Sequence, residues 1–211
     1  MSKITCQISM SLDGFIAGPN QSVDNPIGEG GMRLHEWALA TSTWREQHGE
    51  EGGESNVDAQ VAEAGMEGIG AFVMGRKMFG GGDGEWDLDW KGWWGDDPPY
   101  HAPVYVLTHH ERERLEMEGG TTFHFVTDGL ESALAKARES AGDADISIAG
   151  GASLVRQCLA AGHLDELHLH IAPVLLGSGE RIFDDVGEPA LELIETIAGE
   201  RTTHVRYRVR P

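Results

Sequence analysis

Two glycine-rich junctions in this chain have the residue types that hold phosphate. In the first, Ala71-Phe72-Val73-Met74 ends in Gly75, and Arg76, Lys77, Met78 and Phe79 follow at once. A short apolar run bounded in this way reads as a buried strand. Gly75 permits a tight turn and a close approach of backbone to ligand. The residues after it can open a helix, whose first N–H groups lack partners and favour an anion. Arg76 adds a permanently charged fork that suits phosphate. Lys77 can assist it or point into solvent. The second junction, Ile148-Ala149-Gly150-Gly151-Ala152-Ser153-Leu154, repeats the pattern, and Ser153 can add a hydroxyl. One such junction alone could be a helix start after a strand; two in one chain favour a bound nucleotide.

Other constellations carry less. Gly70 to Lys77 resembles a P-loop, but Arg76 stands where that motif needs Lys, and the intervening residues read as strand. His168 and His170 share one face of a strand, yet no third ligand has suitable spacing, so no metal is expected. Asp83, Asp87 and Asp89 miss the calcium-loop pattern. Gly177-Ser178-Gly179 lacks the third Gly of a dinucleotide fingerprint and reads as a turn.

These junctions need strands and helices to carry them. Ile4 to Met10 alternates like a strand, and Arg33 to Gln47 reads as a helix with Leu34, Trp37, Ala38 and Trp44 near one face. Residues 46–56 form an acidic, Gly-rich loop, and Asp58 to Glu67 a short helix. Gly80 to His101 is a long Gly/Asp/Trp/Pro segment of little regular pattern. Its Trp86, Trp90, Trp93, Trp94 and Tyr100 can cover the core or a dimer partner, or wall a pocket for a flat substrate. Val104–Leu107, Thr122–Val126, Ile146–Ala149 and Leu167–Leu176 read as strands, and Leu130–Ser140 and Ala152–Ala161 as helices. Leu191–Ile197 and Thr202–Val209 form an antiparallel pair around Gly199. Alternating strands and helices imply a mostly parallel sheet covered on both faces, in a single α/β domain over residues 1–211.

Composition bounds the partners. The chain has 211 residues and 40% apolar content, enough for one sizeable core. Its formal net charge of −19 argues against nucleic acid or an anionic membrane as partner. A phosphate must therefore be held by a local basic pocket. Cys6 and Cys158 read as core thiols in a reducing cytoplasm. No apolar run approaches a membrane span, and no signal peptide is evident.

Four motifs taken in order carry a family resemblance. They are Ser11-Leu12-Asp13-Gly14-Phe15-Ile16-Ala17; Val73-Met74-Gly75-Arg76-Lys77; Gly150-Gly151-Ala152-Ser153-Leu154; and Leu164-Asp165-Glu166-Leu167 running into Ile171-Ala172-Pro173-Val174-Leu175-Leu176-Gly177-Ser178-Gly179. Together they resemble the reductase domain of the bifunctional riboflavin-biosynthesis deaminase-reductase, within the dihydrofolate reductase-like superfamily. The likeness runs over nearly the whole chain, and no zinc-deaminase pattern precedes it. It implies a three-layer α/β/α fold with antiparallel C-terminal strands. It also implies NADPH as cofactor, hydride transfer to a small heterocycle or ring-opened ribosyl imine, and a homodimer. By the same likeness, Gly75, Arg76, Gly150, Gly151, Ala152 and Ser153 hold the phosphates, and Ile16 and Ala17 line the nicotinamide. Thr108 and His109 fall where relatives meet the 2′-phosphate; a solvated loop is the alternative there. Asp13 matches a substrate-facing residue. Trp37 matches a helix that carries substrate contacts, with Glu36 beside it as an acid or as a surface carboxylate.

Overall fold

The computed structural model describes residues 2–82 and 84–210; Asp83 of the aromatic segment lies outside the described residues. The strands are β1 (Ile4–Ser11), β2 (Ile69–Gly75), β3 (Pro103–Leu107), β4 (Leu115–Glu116), β5 (Thr122–Val126), β6 (Asp145–Gly150), β7 (Glu166–Ala172), β8 (Ala190–Ala198) and β9 (Thr203–Arg210). The helices are α1 (Glu36–Leu39), α2 (Ser42–Gln47), α3 (Val57–Ala64), α4 (Arg76–Phe79), α5 (Leu130–Ala141) and α6 (Ala152–Ala160). They surround one nine-stranded sheet of order β4-β5-β3-β2-β6-β1-β7-β9-β8. The central pairs β3–β2, β2–β6, β6–β1 and β1–β7 are parallel, and β7–β9 and β9–β8 are antiparallel.

The central strands are apolar on both faces because both are covered. On one face α5 contributes Ala133, Leu134 and Ala137, and α6 contributes Leu154, Val155, Cys158 and Leu159, against Cys6, Val73, Ile146 and Ile148. On the other, Phe79 of α4 packs on Phe72, Met74, Val104 and Phe123. Trp86, Trp90, Trp94 and Tyr100 of the long loop close over that cluster. The loop is anchored by the Trp90 indole N–H, which donates to the Phe79 carbonyl at 3.0 Å, and by that of Trp86, which donates to the His110 carbonyl at 2.9 Å. The loop thus covers the core, and its Trp93 and Trp94 also line the cavity described below. Cys6 and Cys158 are buried free thiols, and burial pushes the Cys158 thiol up to about 12.

Two expected elements differ. The helix read over Arg33 to Gln47 is broken into a 3₁₀ turn (Gly31–Leu34), α1 and α2. Thr41 is the reason: its hydroxyl accepts from Trp44 N at 3.2 Å and caps α2. A hydroxyl that caps one helix ends the one before it. The strand read over Leu167–Leu176 stops at Ala172, where Pro173 removes a ladder N–H. The chain then turns, and Leu12 N donates to Val174 O at 2.9 Å.

Candidate active site

Register brings the two glycine junctions together. Gly75 pairs with Leu107, and Met74 pairs with Gly150, so β2, β3 and β6 end at one level. Outside the carboxyl ends of parallel strands lies the usual binding crevice of an open α/β sheet. Here it is a cavity of about 1020 Å³. Eleven residues singled out from sequence meet on its wall: Ile16, Ala17, Gly75, Arg76, Lys77, Thr108, His109, Gly150, Gly151, Ala152 and Ser153.

Each is set by its local structure. Gly151 precedes α6, whose first N–H groups face the crevice end of β6. A Cβ on Gly151 would meet nothing within 4 Å, and one on Gly75 would lie 3.7 Å from Gly151 N. The two glycines thus leave an open channel between two helix starts. Arg76 opens α4; its guanidinium lies 3.6 Å over the Trp86 ring, and its Nε donates to Gly82 O at 3.1 Å. Lys77 and His109 sit exposed at the rim, whereas Thr108 is buried and its Oγ1 accepts from His110 N at 3.2 Å. Ile16 and Ala17 are buried; Ile16 N donates to Glu180 O, and Glu180 N to Ala17 O.

Three expected substrate-side residues are not on the cavity wall, and each reading is corrected. Asp13 was expected to face substrate. Its carboxylate instead accepts from Leu176 N at 3.1 Å and Gly177 N at 2.7 Å, and the Ser11 hydroxyl and these backbone N–H groups hold it down at about 2. It clamps a loop. Glu36 is exposed on α1 and does not line the cavity. Trp37 is 6% exposed, with its N–H donating to Ser9 Oγ at 3.0 Å and its ring against His170 and His204. On α1 Trp37 turns to the core, while His35, Ala38 and Leu39 line the cavity, followed by Trp44 of α2.

Sequence reasoning missed His35 and His170, which both line the cavity. Burial lowers both imidazoles, His170 to about 3, with the nearby His204, His168 and His35 adding to the effect on His170. A His lowered by folding binds fewer protons in the native than in the unfolded state below its ordinary value near 6.5. Its stabilising contribution is complete above that value and is lost as pH falls toward the folded value. We expect the melting temperature to fall between roughly pH 6.5 and 4, and the slope to flatten in His170→Gln. An unchanged slope in that variant would assign the acid sensitivity elsewhere.

Fold and site together define an α/β protein of the dihydrofolate reductase type with a crevice outside the carboxyl ends of its parallel strands. The family model described as the RibD C-terminal domain matches residues 2–205, and the chain belongs to that family. Membership supports an oxidoreductase. The chain is 26% identical over 194 residues to the uncharacterized protein YyaP of Bacillus subtilis (strain 168), covering 87% of this chain and 81% of that one. Its fold is similar to that of a candidate riboflavin biosynthesis protein of Shewanella sp. PV-4, with a TM-score of 0.64, 21% identity and 99% of both chains covered. It is similar too to the Enterococcus faecalis dihydrofolate reductase complexed with NADP(H), with a TM-score of 0.57, 14% identity and 99% and 97% of the chains covered. Among the described residues no helix is long and apolar enough to cross a membrane.

Proposed function

We propose that this protein is an NADPH-dependent reductase that transfers hydride to a small heterocycle or open ribosyl amine of the 5-amino-6-(5-phosphoribosylamino)uracil type. The observation that carries the proposal is the convergence of the β1, β2, β3 and β6 ends on one cavity with two glycine junctions side by side. The residues fit the cofactor. Gly75 and Gly151 leave backbone room for a pyrophosphate, the start of α6 supplies N–H donors, and Arg76 supplies a cation. By the family resemblance Thr108 and His109 would meet the 2′-phosphate, and the buried Ile16 and Ala17 provide an apolar wall for a nicotinamide.

When bound, NADPH supplies the hydride. The chain's part is orientation and exclusion of water. The buried Ile16 and Ala17 exclude solvent from their part of the wall, and His35, Leu39 and Trp44 line the same cavity. A pterin or dihydrofolate reductase is the weaker reading, because Glu36, the carboxylate it would need as an acid, is outside the cavity. A nucleotide-binding protein without catalysis is separated by loss of nicotinamide absorbance on adding substrate.

At about 100 times its dissociation constant, NADPH should stabilise the fold by about 2.7 kcal/mol, or roughly 5–10 °C in melting temperature. An unmoved melting curve at saturating NADPH would remove the proposal. We further propose a homodimer joined along the sheet edge. Leu191 and Leu193 of β8 are 39% and 58% exposed there. Light scattering at micromolar concentration should give twice the mass of 22.9 kDa; a monomer would contradict it.

A further inference from the structure

A line of hydrogen-bonding groups runs from beneath the sheet to the cavity. Asp58 opens α3 and is fully buried. Its Oδ2 accepts from Arg201 N at 3.0 Å, and its Oδ1 lies 2.8 Å from His204 Nε2. An ionised carboxylate only accepts, so His204 Nε2 carries a hydrogen. His204 Nδ1 lies 2.8 Å from His170 Nδ1, and one hydrogen must sit between them. Above the ordinary His range of pH, a His204 protonated on Nε2 can only accept at Nδ1. His170 must then donate from Nδ1, which leaves its Nε2 with a lone pair. Trp37 fixes both rings, at 4.7 Å from His170 and 5.0 Å from His204. On the sheet His170 pairs with Ser9 of β1, and both line the cavity. Because Nδ1 is committed toward β9, the imidazole edge on the β1 side carries Nε2. Among the described residues the ring's hydrogen bond is the one between Nδ1 and His204, and none reaches Nε2.

We infer that His170 is a specificity-determining residue whose Nε2 accepts a hydrogen bond from an N–H or O–H of the substrate, and that His204 and Asp58 are positioning residues that fix this tautomer. The inference rests on the reading that the cavity takes a substrate beside NADPH. It selects ligands that present a donor, such as an amino group, a ring N–H or a sugar hydroxyl, over analogues that present only acceptors. Burial keeps the imidazole neutral and so preserves the lone pair.

Nitrogen-15 NMR of the imidazoles at roughly pH 8, above the ordinary His range, reads the tautomers without any ligand. The expected result is Nδ1–H on His170 and Nε2–H on His204; Nε2–H on His170 would overturn the assignment. In Asp58→Asn the amide oxygen must stay on Arg201 N–H, so its NH₂ faces His204 Nε2. The relay should invert, giving Nε2–H on His170 in a folded protein. A tautomer that does not change would remove Asp58 as a positioning residue. With NADPH saturating, calorimetry with 5-amino-6-ribitylaminouracil should show about tenfold or greater loss of affinity in His170→Phe. His170→Gln, whose amide oxygen can take the place of Nε2, should retain most of it. Equal binding by the Phe variant, or no binding of the probe to the wild type, overturns the inference. NADPH affinity should be unchanged in both variants. Absence of NADPH binding to the wild type defeats the reading of the cavity instead and leaves the tautomer result standing.

Discussion

Phe79→Ala should lower stability by about 3–5 kcal/mol, a fall in melting temperature of roughly 6–20 °C. Phe79 is fully buried and meets Trp86, Phe123 and Phe125 edge-on, with ring centroids 5.7, 5.0 and 5.3 Å away. Removing its ring opens a cavity between the sheet and the tryptophan loop. It also takes the apolar support from under Trp86, on which Arg76 rests. Leu88→Ala, in the same loop but 74% exposed, should change little. Thermal unfolding of the two variants checks this. Equal stability would mean that the loop, not Phe79, seals that face.

Arg76→Ala should weaken NADPH binding by about ten- to a hundredfold, the range for a charge-assisted hydrogen bond to phosphate. The net charge of −19 makes this local cation important, because the rest of the molecule repels an anion. The loss should shrink as salt rises, since part of it is Coulombic. Folding should be little affected, because Trp86 keeps its bond to the His110 carbonyl and its contacts with Phe79 and Phe125. Fluorescence titration of wild type and variant at two ionic strengths measures both the fold-change and its salt dependence. Equal affinity would take Arg76 out of the site.

The parts of this molecule that were legible in the sequence are those whose residues have a local conformational demand. Gly75, Gly150 and Gly151 end apolar runs at turns, and their strands and helices were found within a few residues. The helices at 130–141 and 152–160 follow plain apolar spacing. The substrate side was misread because it depends on phase. One buried hydroxyl, Thr41, breaks a helix that periodicity runs straight through. The one-turn α1 before it turns Trp37 to the core and leaves Ala38 and Leu39, with His35 ahead of them, on the cavity wall. The Asp58–His204–His170 line could not be read at all. Its members lie 146 and 34 residues apart, and sheet order alone brings β7, β9 and the start of α3 together. Asp13 reads from sequence as a substrate-facing residue, but its partners, Leu176 and Gly177, make it a loop clamp.

The strand-like bridge between Ala17 and Glu180 has a thermodynamic consequence. Arg181 reinforces it, donating to Asp13 O at 2.8 Å and covering the Phe15 ring at 4.3 Å. Gly179 lets the backbones meet, since a Cβ there would strike the Ala17 carbonyl. The loop that carries Ile16 and Ala17 is therefore already in place before any ligand arrives. Binding that needs no loop ordering keeps the free energy that an unformed wall would consume. This half of the crevice should behave as a rigid template, with amide exchange at Ile16 and Glu180 as slow without ligand as with it.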